Sequence, residues 1–227
     1  MTPIFLLARS FMRQNRWLML AFVLWPFLFG TLLSLPQHPT ANEVQEIAVQ
    51  EIFYGVAVVG FLASSAVHNE KRSRRILGVL SKGVSRGEYL AGLLLASACF
   101  ASIYFLSVSA SLLWLLKPSA TLAVSCAALF LHAVIAALWI ASLSLMFSIV
   151  LHPLLAAALA GAAAFAPFAA ASPNAMWAPV ANLTKAAGSF QHQLIWSALA
   201  AGAVESAVFF VAASAVFARR DVTGSIE

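Results

Sequence analysis

Apolar runs long enough to cross a bilayer recur along almost the whole chain, at about residues 17–35, 47–67, 89–116, 120–151, 153–171 and 194–217. A helix rises 1.5 Å per residue, so about 20 apolar residues cover a hydrocarbon core of ~30 Å. No water is present there to bond the backbone, which makes the helix the only form such a run can take by itself. Charged residues make up 9% of the chain and hydrophobic ones 62%, against roughly 25% charged in soluble domains. A soluble fold of 227 residues has too little interior to hide that much apolar surface. The sequence predicts an all-α integral membrane protein: six transmembrane helices forming a single domain over residues 1–227.

The shortest break is His152-Pro153, between the fourth and fifth runs. Proline ends hydrogen-bonded helix and restricts the residue before it, so a tight helical hairpin is expected there. The fifth run, Ala156–Ala171, is mostly Ala, Gly, Phe and Leu; small residues of this kind let helices approach closely in lipid.

The basic residues set an orientation. Arg9, Arg13, Arg16, Lys71, Arg72, Arg74, Arg75, Lys82, Arg86, Arg219 and Arg220 fall on one side of the expected spans, and Lys117 and Lys185 on the other. Loops rich in Lys and Arg stay in the cytoplasm, so both termini and the loop 68–88 are expected there, in a cell (inner or plasma) membrane. The outer loop 36–46 carries Glu43 and Glu46, with Glu51 following at the start of the second span. Trp17 at the inner boundary and Trp114, Trp177 and Trp196 at the outer one match an aromatic belt. The net charge of +5 is explained by this topology, and no nucleic-acid partner is inferred. Cys99 and Cys126 lie in apolar runs as packing residues.

Residues 3–16 form a different kind of segment. At 3.6 residues per turn, Arg9, Arg13 and Arg16 share a stripe of roughly 60°, opposite Ile4, Leu7, Ala8 and Phe11. This pattern predicts an amphipathic helix lying in the inner interface, its arginines toward lipid headgroups or cytoplasm. The alternative is a basic tail that only fixes topology. The basic stretch is long and no A-x-A-like site follows Leu35, so the first span reads as a retained anchor.

Motifs of catalysis do not stand out. No G-x-x-x-x-G-K-[ST], H-E-x-x-H or C-x-x-C occurs, and His38, His68, His132, His152 and His192 have no ligand spacing. No metal site and no catalytic residue is assigned. Glu205 stands out as an acidic residue deep in a span. A charge at that depth costs a few kcal/mol, so it is expected to line a pathway, tie two subunits together, or bond a neighbouring helix. The cytoplasmic loop His68–Tyr89 holds six of the thirteen Lys and Arg, with Ile76, Leu77 and Leu80 at helical spacing and Gly83 where a short helix would end. Such a loop suits anionic lipid or a docked cytoplasmic protein.

Glu70, Arg74, Arg75, Leu77, Leu80, Ser81, Ser85, Arg86, Tyr89 and Gly92 resemble the loop between the second and third spans of ABC-2 type transporter permeases, and Phe217, Arg219, Arg220 and Asp221 resemble that family's ending. Leu93 stands where the family commonly has Lys. The resemblance implies a type V exporter-like architecture and a pathway formed by a homodimer or with a similar permease partner. It also implies two copies of a separate ABC ATPase on the cytoplasmic face. Glu70, Arg74, Arg75, Leu77, Leu80, Ser81 and Arg86 would then be the coupling surface toward that ATPase. ATP and Mg would sit on the partner, leaving this chain without cofactor or enzyme activity, and spans one and five would be candidates for the dimer seam. Export of lipids, glycans, peptides or drugs is what the family suggests. Two other readings compete: a membrane adaptor or assembly protein that recruits a partner through its basic loop, and an intramembrane enzyme using Glu205 or a span histidine.

Overall fold

The computed structural model describes residues 3–34, 41–72, 83–116, 120–169, 179–188 and 194–219. They form α1 (Pro3–Gln14), α2 (Arg16–Ser34), α3 (Ala41–Arg72), α4 (Arg86–Leu115), α5 (Ala120–Ser148), α6 (Pro153–Ala169), α7 (Pro179–Gly188) and α8 (Trp196–Arg219), with no strand among the described residues. In α3, α4, α5 and α8 the apolar stretch is long enough to cross a membrane, and α1 with α2, bent by 70°, makes a fifth if the pair counts as one span. The chain is therefore a helical, membrane-spanning protein.

The expected boundaries shift in three places. Helix α3 has 32 residues, longer than the run 47–67, because Glu, Gln, Ala, Lys and Arg at its ends continue a helix readily. His68–Arg72, expected in the loop, are its last turn. The expected fifth span is α6, 17 residues and so about 25 Å long, short of a ~30 Å core. Between the expected fifth and sixth spans a further helix, α7, forms, its Leu183 and Ala187 buried where it packs on α5 and α3.

Helix α5 is the hub, packed against α3, α4, α6, α7 and α8. Its buried face is rich in small residues, among them Ala133, Ala136, Ala137, Ala141 and Ser144, so neighbouring backbones come close. Gly60 of α3 uses this, facing Ile140 and Ser144.

Contacting pairs reveal helix direction. Ser107 Oγ donates to the Val23 carbonyl at 2.6 Å, Ser111 Oγ to the Pro26 carbonyl at 3.2 Å, and Gly30 faces Leu115. These pairs advance together, so α2 and α4 run parallel. His132 with Ile195 and Trp139 with Glu205 show the same for α5 and α8. Ser107 and Ser111 thus tie α4 to the backbone of α2 at Val23 and Pro26.

Helix α1 lies across the first turns of α4. The chain bends at Asn15, whose amide Nδ2 and backbone N both donate to the Phe11 carbonyl, at 3.0 and 3.1 Å. Ala8 and Phe11 are buried, with Phe11 edge-on to Phe100 of α4 at 6.1 Å. Gly92 makes the crossing close: a Cβ there would meet Leu7 Cβ at 2.8 Å and the Ile4 carbonyl at 3.2 Å. Trp17 at one end of the bundle, and Trp114 and Trp196 at the other, are strongly exposed, as interfacial anchors are.

Candidate functional site

Gly83, at φ +80°, turns the chain into α4 in a conformation that glycine adopts without strain. Ser85 then caps α4: its Oγ accepts from Glu88 N at 3.2 Å, while Glu88 Oε2 accepts from Ser85 N at 2.8 Å. This reciprocal box fixes where the helix begins and aims Arg86 at the far end of the chain. Arg86 Nη1 donates to the carbonyls of Phe217 and Ala218, at 2.8 and 3.0 Å, and its guanidinium lies 5.8 Å from the Phe217 ring. Those carbonyls are among the last of α8, which have no amide partner inside the helix. A cation there also suits the helix dipole. Tyr89, buried one turn later, packs on the same Phe217 ring at 6.1 Å.

Of the other residues expected in the coupling surface, Arg74, Arg75, Leu77, Leu80 and Ser81 lie outside the described residues, and Glu70 is in the last turn of α3. Arg9, Arg13 and Arg16 are exposed, and the Arg16 guanidinium sits 5.4 Å over Trp17.

Glu205 is half-buried and faces the hub. Trp139 Nε1 donates to its Oε2 at 2.7 Å, and the indole meets Phe209 edge-on at 5.4 Å. Above this tie, Ile195 N donates to His132 Nε2 at 3.2 Å. His132 Nδ1 therefore carries the ring proton and donates to the Ala128 carbonyl at 2.7 Å. The start and the middle of α8 are thus each held to α5 by a polar bond.

The more deeply buried acid is one that sequence reading assigned to the outer edge of span two. Glu51 is 2% exposed, within α3 rather than at its margin. Tyr104 of α4 donates its hydroxyl to the Glu51 Oε2 and approaches the Glu51 backbone carbonyl at 3.2 Å. Glu51 Oε1 has no hydrogen-bond partner among the described residues. Gly55, one turn on, admits the Tyr104 ring, which a Cβ there would strike. Glu51 was findable, since it falls in register with Ala48, Ile52, Gly55 and Val59 on a helical stripe. Its partner was not.

Histidines far apart in sequence also meet. The rings of His68, near the end of α3, and His152, at the α5–α6 break, lie 5.4 Å apart. Among the described residues no group of three or more His, Cys, Asp or Glu gathers as a metal centre would require. Set against protein-family models and against curated proteins, the chain matches none.

Proposed function

We propose that this chain is the transmembrane permease subunit of an ATP-binding cassette exporter. It would work as a homodimer or with a similar permease partner, driven by two copies of a separate ATPase that hold ATP and Mg. In this reading the end bearing Arg9, Arg13, Arg16, Arg86 and Arg219 faces the cytoplasm of a cell membrane. Helix α1 lies in the inner interface against lipid, and α2, α3, α4, α5, α6 and α8 make the six-span ABC-2 arrangement.

The observation that carries the reading is the Arg86 clasp. The loop between α3 and α4 is the surface proposed to meet the ATPase. Its last residues are fixed by the Ser85–Glu88 box and bonded through Arg86 to the end of α8. A push on the loop would reach α8 directly, and through Trp139 and Glu205 the hub. A permease needs such a linkage between its cytoplasmic loop and its spans.

The test is co-purification of tagged protein from mild detergent with mass spectrometry and an ATPase assay, comparing wild type with Leu77→Asp/Leu80→Asp. An ATPase that accompanies wild type and is lost from the variant supports the reading. A well-folded wild type that brings down no ATPase favours the adaptor reading instead.

A further inference from the structure

A cleft of about 270 Å³ opens between α2 and α3, with α4 as its floor. Half of its lining is aromatic, Phe22 and Trp25 from α2, Tyr54 from α3, and Tyr104 below, and the rest is aliphatic or glycine. Trp25 and Tyr54, 45% and 52% exposed, stand at the mouth with ring centroids 6.5 Å apart. Phe22 and Tyr104 close the inner end at 5.2 Å. Behind Tyr104 lies Glu51, its Oε2 bonded to the phenol and its Oε1 without a partner among the described residues.

We propose that this cleft binds a compact organic cation with an apolar body. Aromatic faces attract cations through their quadrupoles, most strongly where water is excluded. A phenol that donates to a carboxylate gains electron density, so Glu51 makes the Tyr104 face more negative. At low dielectric a cation one ring away favours the carboxylate form of Glu51, which attracts it in turn. Among the described residues Glu51 is the one buried Asp or Glu, and no Lys or Arg is buried there. An anion would find no counter-charge in the described lining, and a neutral ligand would make no use of the acid behind Tyr104. A zwitterionic lipid headgroup is also excluded: Trp25 is midway along α2, and the headgroup would bring its phosphate to that depth with no basic residue in the cleft lining.

Binding to the isolated chain needs neither ATPase nor transport, so cation binding and permease function can fail separately. The experiment is equilibrium dialysis of radiolabelled benzyltrimethylammonium against the full chain in dodecyl maltoside, with empty micelles subtracted. Neopentylbenzene, its uncharged carbon isostere, is the competitor. Saturable binding is expected, weakened at least tenfold by Glu51→Gln and at least threefold by Trp25→Leu, unchanged in Glu205→Gln, and not displaced by neopentylbenzene. Trp25 is on the surface, so its variant keeps the test valid if Glu51→Gln does not fold. No saturable binding, or binding undiminished in Trp25→Leu, overturns the proposal. Equal displacement by neopentylbenzene does so too, and shows an apolar groove that holds a lipid tail.

Discussion

Trp139 and Glu205 form a 2.7 Å hydrogen bond from the indole N–H of the hub helix to a carboxyl oxygen of the last one. Average side-chain bonds between membrane helices contribute about 0.6 kcal/mol, but a donor left unpaired in a buried site costs about 1–3 kcal/mol. Removal of either partner is therefore expected to cost more than the average. Glu205→Ala and Trp139→Phe should each lower the unfolding temperature in detergent by a few degrees. The double variant should lose little beyond the larger single loss, and Glu205→Gln, which keeps an acceptor oxygen, should stay near wild type. Additive losses in the double variant would show that the two residues act independently.

Gly55 and Gly161 make a matched pair for testing close packing. Alanine at Gly55 would press into the Tyr104 and Phe105 rings, whereas at Gly161 no atom of the described residues lies within 4 Å. Alanine gains up to about 1 kcal/mol in a helix, while overpacking costs about 1–3 kcal/mol. Gly55→Ala should thus be destabilising and Gly161→Ala neutral to stabilising, read as unfolding temperatures of the two purified variants side by side.

Gly92 governs whether α1 stays on α4. A side chain there would strike Leu7 and the Ile4 carbonyl, and the carbonyl cannot move aside as a flexible side chain can. Gly92→Val should lift α1 while leaving the bundle formed. A cysteine at buried Ala8 would then react with a water-soluble maleimide at least severalfold faster than in the Gly92 background.

Arg86 holds the end of α8 by two carbonyl bonds. Charge-assisted bonds of this type contribute about 1.5–3 kcal/mol, less where they are partly exposed. Arg86→Ala should raise hydrogen exchange across the last turn of α8 by about tenfold, with no change in the middle of the helix. Arg86→Lys, which offers a cation without the fork, should fall between. Uniformly faster exchange along α8 would mean that the clasp secures the whole helix.

Much of this structure follows from residue spacing. The apolar runs mark the helices, His152-Pro153 marks the α5–α6 break, and the Ala8–Phe11 stripe marks the buried side of α1. Ser85 and Glu88, at capping-box spacing, also mark the first turn of α4. What spacing does not carry is pairing between helices. Glu51 reads as the tail of an acidic loop until Tyr104 is placed beside it, and Arg86 as a free loop cation until α8 ends against it. His68 and His152 look unrelated until the fold joins them. Each of these depends on which helices are neighbours, and helices with apolar surfaces all round have little moment to declare it.

The Glu51–Tyr104 pair has a consequence for biogenesis. Glu51 leaves the ribosome 53 residues before the phenol that bonds it. When α3 first meets the bilayer, α4 does not yet exist, and only a proton or the headgroup region can satisfy the carboxyl. The phenol can take over that role only once Tyr104 has followed. The pair thus joins two helices made at different times, and the acid is the first of the two to need a partner.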